Sequence, residues 1–160
     1  MANILVTGAT GRVGGALLPL LVERGHRVLA LTRPADAADG LTAKGVEPVV
    51  GDLRAPESLR DRLAGVDAIF LATADAEDQA AEAGRPHIVK LSAQSAGLDP
   101  PRSFGIHHRR AEQAIEASGL PYTILRPTFF LQSLLLFSYD IAAKGKFAAP
   151  AGKGRIAMVD

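Results

Sequence analysis

Three glycines at three-residue spacing, Gly8, Gly11 and Gly14, lie between an apolar run and a segment of helical periodicity. The run, Ile4-Leu5-Val6, has the composition of a strand buried on both faces. The segment 13–22 carries its apolar residues at helical spacing. Strand, glycine turn and helix, in that order, is the context in which such glycines hold a dinucleotide. Gly8 permits a turn that a Cβ obstructs. Gly11 lets backbone N–H groups approach a pyrophosphate, and Gly14 lets the helix pack close to the strand. The helix then presents its positive dipole end and its first N–H groups to the phosphates. Thr10, Arg12 and Val13 complete the expected contact. The competing reading is a glycine-rich loop that only turns the chain.

The end of the second apolar run reads Leu31-Thr32-Arg33-Pro34. A carboxylate there would hold the ribose 2′-hydroxyl of NAD and repel a 2′-phosphate. Arg33 instead offers a planar donor suited to phosphate, and Arg12 can join it from the glycine turn. Two arginines and no acid at this site predict NADP(H) in preference to NAD(H). Asp36 lies close in sequence, and Arg33 also reads as a solvated loop residue.

A third group, His107, His108, Arg109, Arg110 and Glu112, carries acid–base character. The reference pKa of a histidine is near neutrality, so His108 can protonate an alkoxide or orient a quinone oxygen. Glu112, one helical turn on, can orient or charge it. The same residues also read as a polar helix face. His107 and His108 occupy adjacent helix positions about 100° apart and no third ligand is evident, which argues against a metal site.

The elements that must position these groups alternate along the chain. Strands are expected at 3–7, 27–32, 46–50, 67–72, 87–92 and 122–126. Helices are expected at 12–24, with Pro19 inside, at 56–65, at 75–83 and at 104–118, with a loop or short helix at 34–44. Six strands alternating with helices predict an α/β doubly wound parallel sheet, a Rossmann fold of order 3-2-1-4-5-6. One domain spans 1–160. Residues 128–143 read as an apolar helix, and 147–150 and 156–159 as short strands. The last of these has no evident successor, so 128–160 reads as the start of a reduced C-terminal substrate lobe, most of it missing.

Bulk properties narrow the function further. Eighteen basic and seventeen acidic side chains give a net charge of +1, which provides no pull toward nucleic acid or an anionic membrane. The absence of cysteine excludes disulfides, thiolate catalysis and cysteine-bound metals. The apolar run 128–137 is too short to span a bilayer, and the chain starts directly on a strand. A cytoplasmic protein acting on a small molecule is therefore expected, and the apolar segment 129–137 makes a homodimer a further expectation.

The motifs TGATGRVG (7–14), GDL (51–53) and SGLPYTILRPTFF (118–130) together resemble the NmrA-like group of atypical short-chain dehydrogenases/reductases. The resemblance implies a Rossmann fold binding NADP(H) or NAD(H). It implies either hydride transfer to a quinone or small carbonyl, or a non-catalytic redox sensor or regulatory module. In a family-like pose Asp52 and Leu53 flank the adenine, although Asp52 can equally cap the next helix. Ala72 and Thr73 lie where the family's backbone passes the cofactor ribose, and Arg126-Pro127-Thr128 resembles the stretch passing the nicotinamide, which makes Pro127 a contact. Phe129 and Phe130 follow as cover or core. Ser92 falls where the superfamily often has a serine that polarises the substrate carbonyl, with Ser95 next. The superfamily's usual tyrosine, with a lysine four positions on, is missing. Tyr122 begins an expected buried strand, and Tyr139 is followed by Ala143. His108 falls about where the tyrosine would be, and Glu112 where the lysine would be.

Overall fold

Apolar residues in the strands alternate between two faces, as the period of two requires. Leu5, Leu29, Leu31, Ile69, Leu71 and Ile88 enter one core cluster, while Val6, Val28, Ala30 and Phe70 enter another. A sheet with apolar side chains on both faces needs helices on both. The computed structural model shows this arrangement. It describes residues 1–33, 38–53, 55, 58–59, 62–72, 85–101, 103–146, 155 and 157–160.

Strands β1 (Asn3–Val6), β2 (Arg27–Thr32), β3 (Glu47–Val50), β4 (Ala68–Leu71), β5 (His87–Leu91) and β6 (Tyr122–Leu125) form one sheet of order β3-β2-β1-β4-β5-β6. Every pairing is parallel. This is the expected doubly wound order. Helices α1 (Arg12–Glu23) and α2 (Ala38–Thr42) lie beside the second cluster, to which Leu18 and Leu41 belong. Pro19 lies inside α1, and the helix continues to Glu23. Helix α3 (Gly105–Ala117) joins the first cluster through Ile115. Because all strands run the same way, the segments leaving them open onto one edge of the sheet. Register places Val6 level with Ala30 and Phe70, Leu71 with Lys90, and Leu91 with Leu125.

Two expectations are corrected beyond Leu125. Residues 128–143 do not form one helix. Phe129–Phe130 is a short strand, β7, followed by a 3₁₀ segment at Leu131–Phe137 and then α4 (Ser138–Lys144). Pro127 has no N–H to donate, and it biases the residue before it toward extended backbone. β7 then pairs in parallel with β8 (Met158–Val159), a partner almost thirty residues away that no local pattern announces. The Thr128 hydroxyl also bonds the Ala157 carbonyl. The chain's last strand thus pairs with β7 rather than extending the main sheet. The second correction concerns β6, which is not buried. Tyr122 and Leu125 are both 44% exposed, because β6 is an edge strand of the six. Leu131, Leu135, Leu136 and Tyr139 are exposed as well. The expected helix 75–83, the start of the helix at 56–65 and the strand at 147–150 lie outside the described residues, as do Asp36 and Thr73.

Leu18 is fully buried where α1 meets the sheet. Leu18→Ala is expected to lower stability by about 2–5 kcal/mol through lost burial and a residual cavity. Urea unfolding followed by circular dichroism measures the loss.

Candidate functional site

The glycine turn is built on contacts that leave no room for side chains. Gly8 has φ of 62°, in the left-handed region that glycine adopts without strain. The Gly11 N–H donates to the Gly8 carbonyl at 2.9 Å, closing the turn, and Gly15 N–H donates to the Gly11 carbonyl at 2.8 Å. A Cβ on Gly14 would lie 2.2 Å from the Gly8 oxygen, so α1 can rest on the turn only without one. Thr7 pins the turn from below. Its N–H and hydroxyl both donate to the Phe70 carbonyl, at 2.9 and 3.1 Å, and its oxygen accepts the Ala72 N–H at 2.9 Å. This threonine, buried and fully engaged, was read from the sequence only as a strand end.

The N-terminus of α1 is open. Gly11 is its cap residue and supplies no side-chain cap, and no acid stands in the first turn. Thr10, Gly11 and Arg12 are exposed on the turn, while Val13 packs on the core. Backbone donors, a helix dipole and a glycine-shaped surface make a cradle that fits a pyrophosphate. Arg33 follows β2 on the same edge of the sheet and is exposed. Among the described residues, neither Arg12 nor Arg33 has an ion-pair partner.

The remaining residues distribute along that edge. Asp52 follows β3, where its N–H donates to the Ser58 hydroxyl at 3.2 Å and its carbonyl accepts the Ala55 N–H at 2.9 Å. Leu53 packs against the first core cluster. Ala72 follows β4 so close to the turn that a Cβ on Gly8 would meet the Ala72 Cβ at 3.1 Å. Pro127 accepts the Gln94 N–H at 2.9 Å, tying the chain after β6 to the chain after β5.

Ser92 and Glu112 come together, and not as anticipated. Ser92 is buried at the end of β5 and donates its hydroxyl to Glu112 Oε1 at 2.6 Å. Glu112, fully buried, also receives Arg126 Nε at 2.9 Å, Arg126 Nη2 at 2.7 Å and Arg109 Nη1 at 3.1 Å. Burial alone would raise the pKa of this carboxyl. The bonds from Arg126, Ser92 and Arg109 outweigh it and hold the carboxyl at about 2. The expectation that Glu112 orients His108 is therefore corrected. The two share a helix face, but the carboxylate is taken by donors from three other positions. An open cleft of about 660 Å³ lies beside this cluster, lined among others by Leu98, Ile106, Arg109, Arg110 and Arg126.

His108 is half-buried in the first turns of α3, edge-on to Phe104 with ring centroids 6.0 Å apart. Its Nδ1 lies 3.4 Å from Nζ of Lys90, a fully buried lysine of β5. The signal for Lys90 in the sequence is its place as a lone lysine within His-Ile-Val-Lys-Leu of a buried strand. His107 is exposed. Tyr122 sits at the start of β6, the end away from the glycine turn, and Tyr139 is exposed on α4. Neither is followed at four residues by lysine.

Residues 8–146 match the model of a family described as NAD(P)H-binding. The chain belongs to this family. The NmrA-like resemblance fits it. The NAD(P)H azoreductase of Xenophilus azovorans is 36% identical across 98% of this chain and 58% of its own length. Quinone oxidoreductase 2 of Escherichia coli K12 is 27% identical across 96% of this chain and 58% of its own. The solved triphenylmethane reductase of Citrobacter sp., in complex with NADP(H), superposes with a TM-score of 0.79 at 26% identity, covering 95% of this chain and 59% of that one. The chain thus spans about 58% of the length of these two curated relatives. No helix among the described residues is long and apolar enough to cross a membrane.

Glu112→Gln is expected to cost about 1–3 kcal/mol at pH 7, the cost of losing charge-assisted bonds in a buried site. Because the folded carboxyl is held at about 2, below its ordinary 4.5, its contribution is complete above 4.5 and fades as pH falls toward 2. Urea unfolding at pH 7, 5 and 3 should show the difference between wild type and variant shrinking with acidity.

Proposed function

We propose that this chain is the nucleotide-binding portion of an NADP(H)-dependent reductase that transfers hydride to a quinone or small carbonyl. The observation that carries the reading is the uncapped N-terminus of α1, on a turn shaped for phosphates, with Arg12 in its first turn and Arg33 on the same sheet edge. Pyrophosphate would lie against the N–H groups of Gly11 to Gly14, and Arg12 and Arg33 would pair the 2′-phosphate. Asp52 and Leu53 would flank the adenine, and Ala72, Thr73 and Pro127 would border the ribose and nicotinamide. The bound reduced nicotinamide supplies hydride.

The azoreductase and quinone reductase relatives support the reaction class. Reduction of a carbonyl needs a hydride at carbon and a proton at oxygen. His108 is the residue proposed to hydrogen-bond that oxygen as it gains negative charge, the proton itself coming from solvent water. A quinone asks less of such a donor than a ketone, because its reduced anion is better stabilised. Ser92 takes a positioning role in this reading, since its hydroxyl proton is committed to Glu112. The missing tyrosine–lysine pair favours a second reading, a non-catalytic NADP(H)-binding sensor.

Calorimetric titration with NADPH and with NADH tests the cofactor assignment. Arg12→Ala and Arg33→Ala should each weaken NADPH about tenfold, or about 1.4 kcal/mol, while NADH changes by less than about twofold, since the lost partner is the 2′-phosphate. Equal losses for both nucleotides would overturn it. His108→Ala should lower kcat for NADPH-dependent quinone reduction about 100-fold with NADPH binding intact. Unchanged turnover would remove His108 from the chemistry, and no turnover of any quinone or aldehyde by the wild type would favour the sensor.

A further inference from the structure

Lys90 stands on the face of β5 that packs toward α3, as does Ile88, which shares a cluster with Ile115. It is fully buried and held in register between Leu71 of β4 and Ile124 of β6. A buried ammonium must be given acceptors. One is the Leu91 carbonyl, at 2.8 Å from Nζ. Another is His108 Nδ1, at 3.4 Å. An ammonium has donors and no acceptor, so wherever the two nitrogens share a hydrogen bond, the ring nitrogen must be the acceptor. Phe104, one turn earlier on the chain, meets the ring edge-on.

We infer that Lys90 is a positioning residue for His108: by donating to Nδ1 it fixes the neutral imidazole with its hydrogen on Nε2. This rests on the proposed role of His108 as the donor to the substrate oxygen. An Nε2–H strengthens its hydrogen bond as negative charge grows on that oxygen during hydride transfer. The other tautomer presents a lone pair at Nε2 and repels the same charge. Lys90 thus performs from the strand what Glu112, engaged by Ser92 and two arginines, does not perform from the helix.

The test reads the tautomer directly. Long-range ¹H–¹⁵N correlation spectra of the histidine-labelled protein, recorded above the histidine titration range, distinguish protonated from unprotonated ring nitrogens. The His108 signals are assigned by their loss in His108→Gln. The expected wild-type pattern is protonated Nε2 and unprotonated Nδ1. Lys90→Met should shift the ring to a mixture of tautomers, and Lys90→Arg should retain the wild-type pattern. Protonated Nδ1 in the wild type overturns the inference, as does an unaltered Nε2–H population in Lys90→Met. Should Lys90→Met not fold, the wild-type spectrum decides alone. Unchanged turnover in His108→Ala would instead sink the catalytic reading, whatever the spectrum shows.

Discussion

The buried carboxylate of Glu112 is the constraint on which the C-terminal half of the site depends. A charged oxygen pair without solvent must find its hydrogen bonds inside the protein. Its donors come from the end of β5, from the segment leaving β6 and from α3 itself. One side chain therefore fixes how three elements meet. A Cβ on Gly97 would lie 2.9 Å from Arg126 Nη1, so the loop after β5 is shaped around the same arginine. The placement of His108 over Lys90 follows from this junction, since α3 has little freedom to rotate once Glu112 is engaged.

The glycine turn organises the other half by exclusion. Gly14 brings helix backbone onto the Gly8 carbonyl, and Thr7 links the end of β1 to the end of β4. Between them they set the first turn of α1 at the sheet edge with its N–H groups outward. The two halves are joined through β4 and β5, whose parallel register carries Ala72 and Ser92 onto the same edge. The glycine turn after β1 and the Ser92–Glu112 cluster after β5 thus lie along one edge of the sheet, separated by the end of β4.

Much of this was legible in the residues. β2 was placed residue for residue, and the other main strands within a residue or two, because buried parallel strands are short apolar runs between glycines and helices. The turn at Gly8 to Gly14 was legible because its requirements are steric and local. The segment after Pro127 was misread because its apolar run fits a helix as well as a strand, and the deciding contact with β8 is remote. Glu112 was paired with His108 on helical spacing alone, which cannot weigh donors arriving from β5 and from Arg126.

By itself the sequence determined the six main strands and their order, the glycine turn and the absence of a tyrosine–lysine pair. Those follow from side-chain period, glycine sterics and residue identity, all of which act between near neighbours. The tertiary structure decided which charged groups meet. Only there does Glu112 turn to Ser92, Arg109 and Arg126, and only there does Lys90, a strand residue eighteen positions before His108, come within reach of its ring. The physical reason is that burial makes unpaired charge costly, so buried ionic groups take whichever partners the packed sheet and helices bring to them.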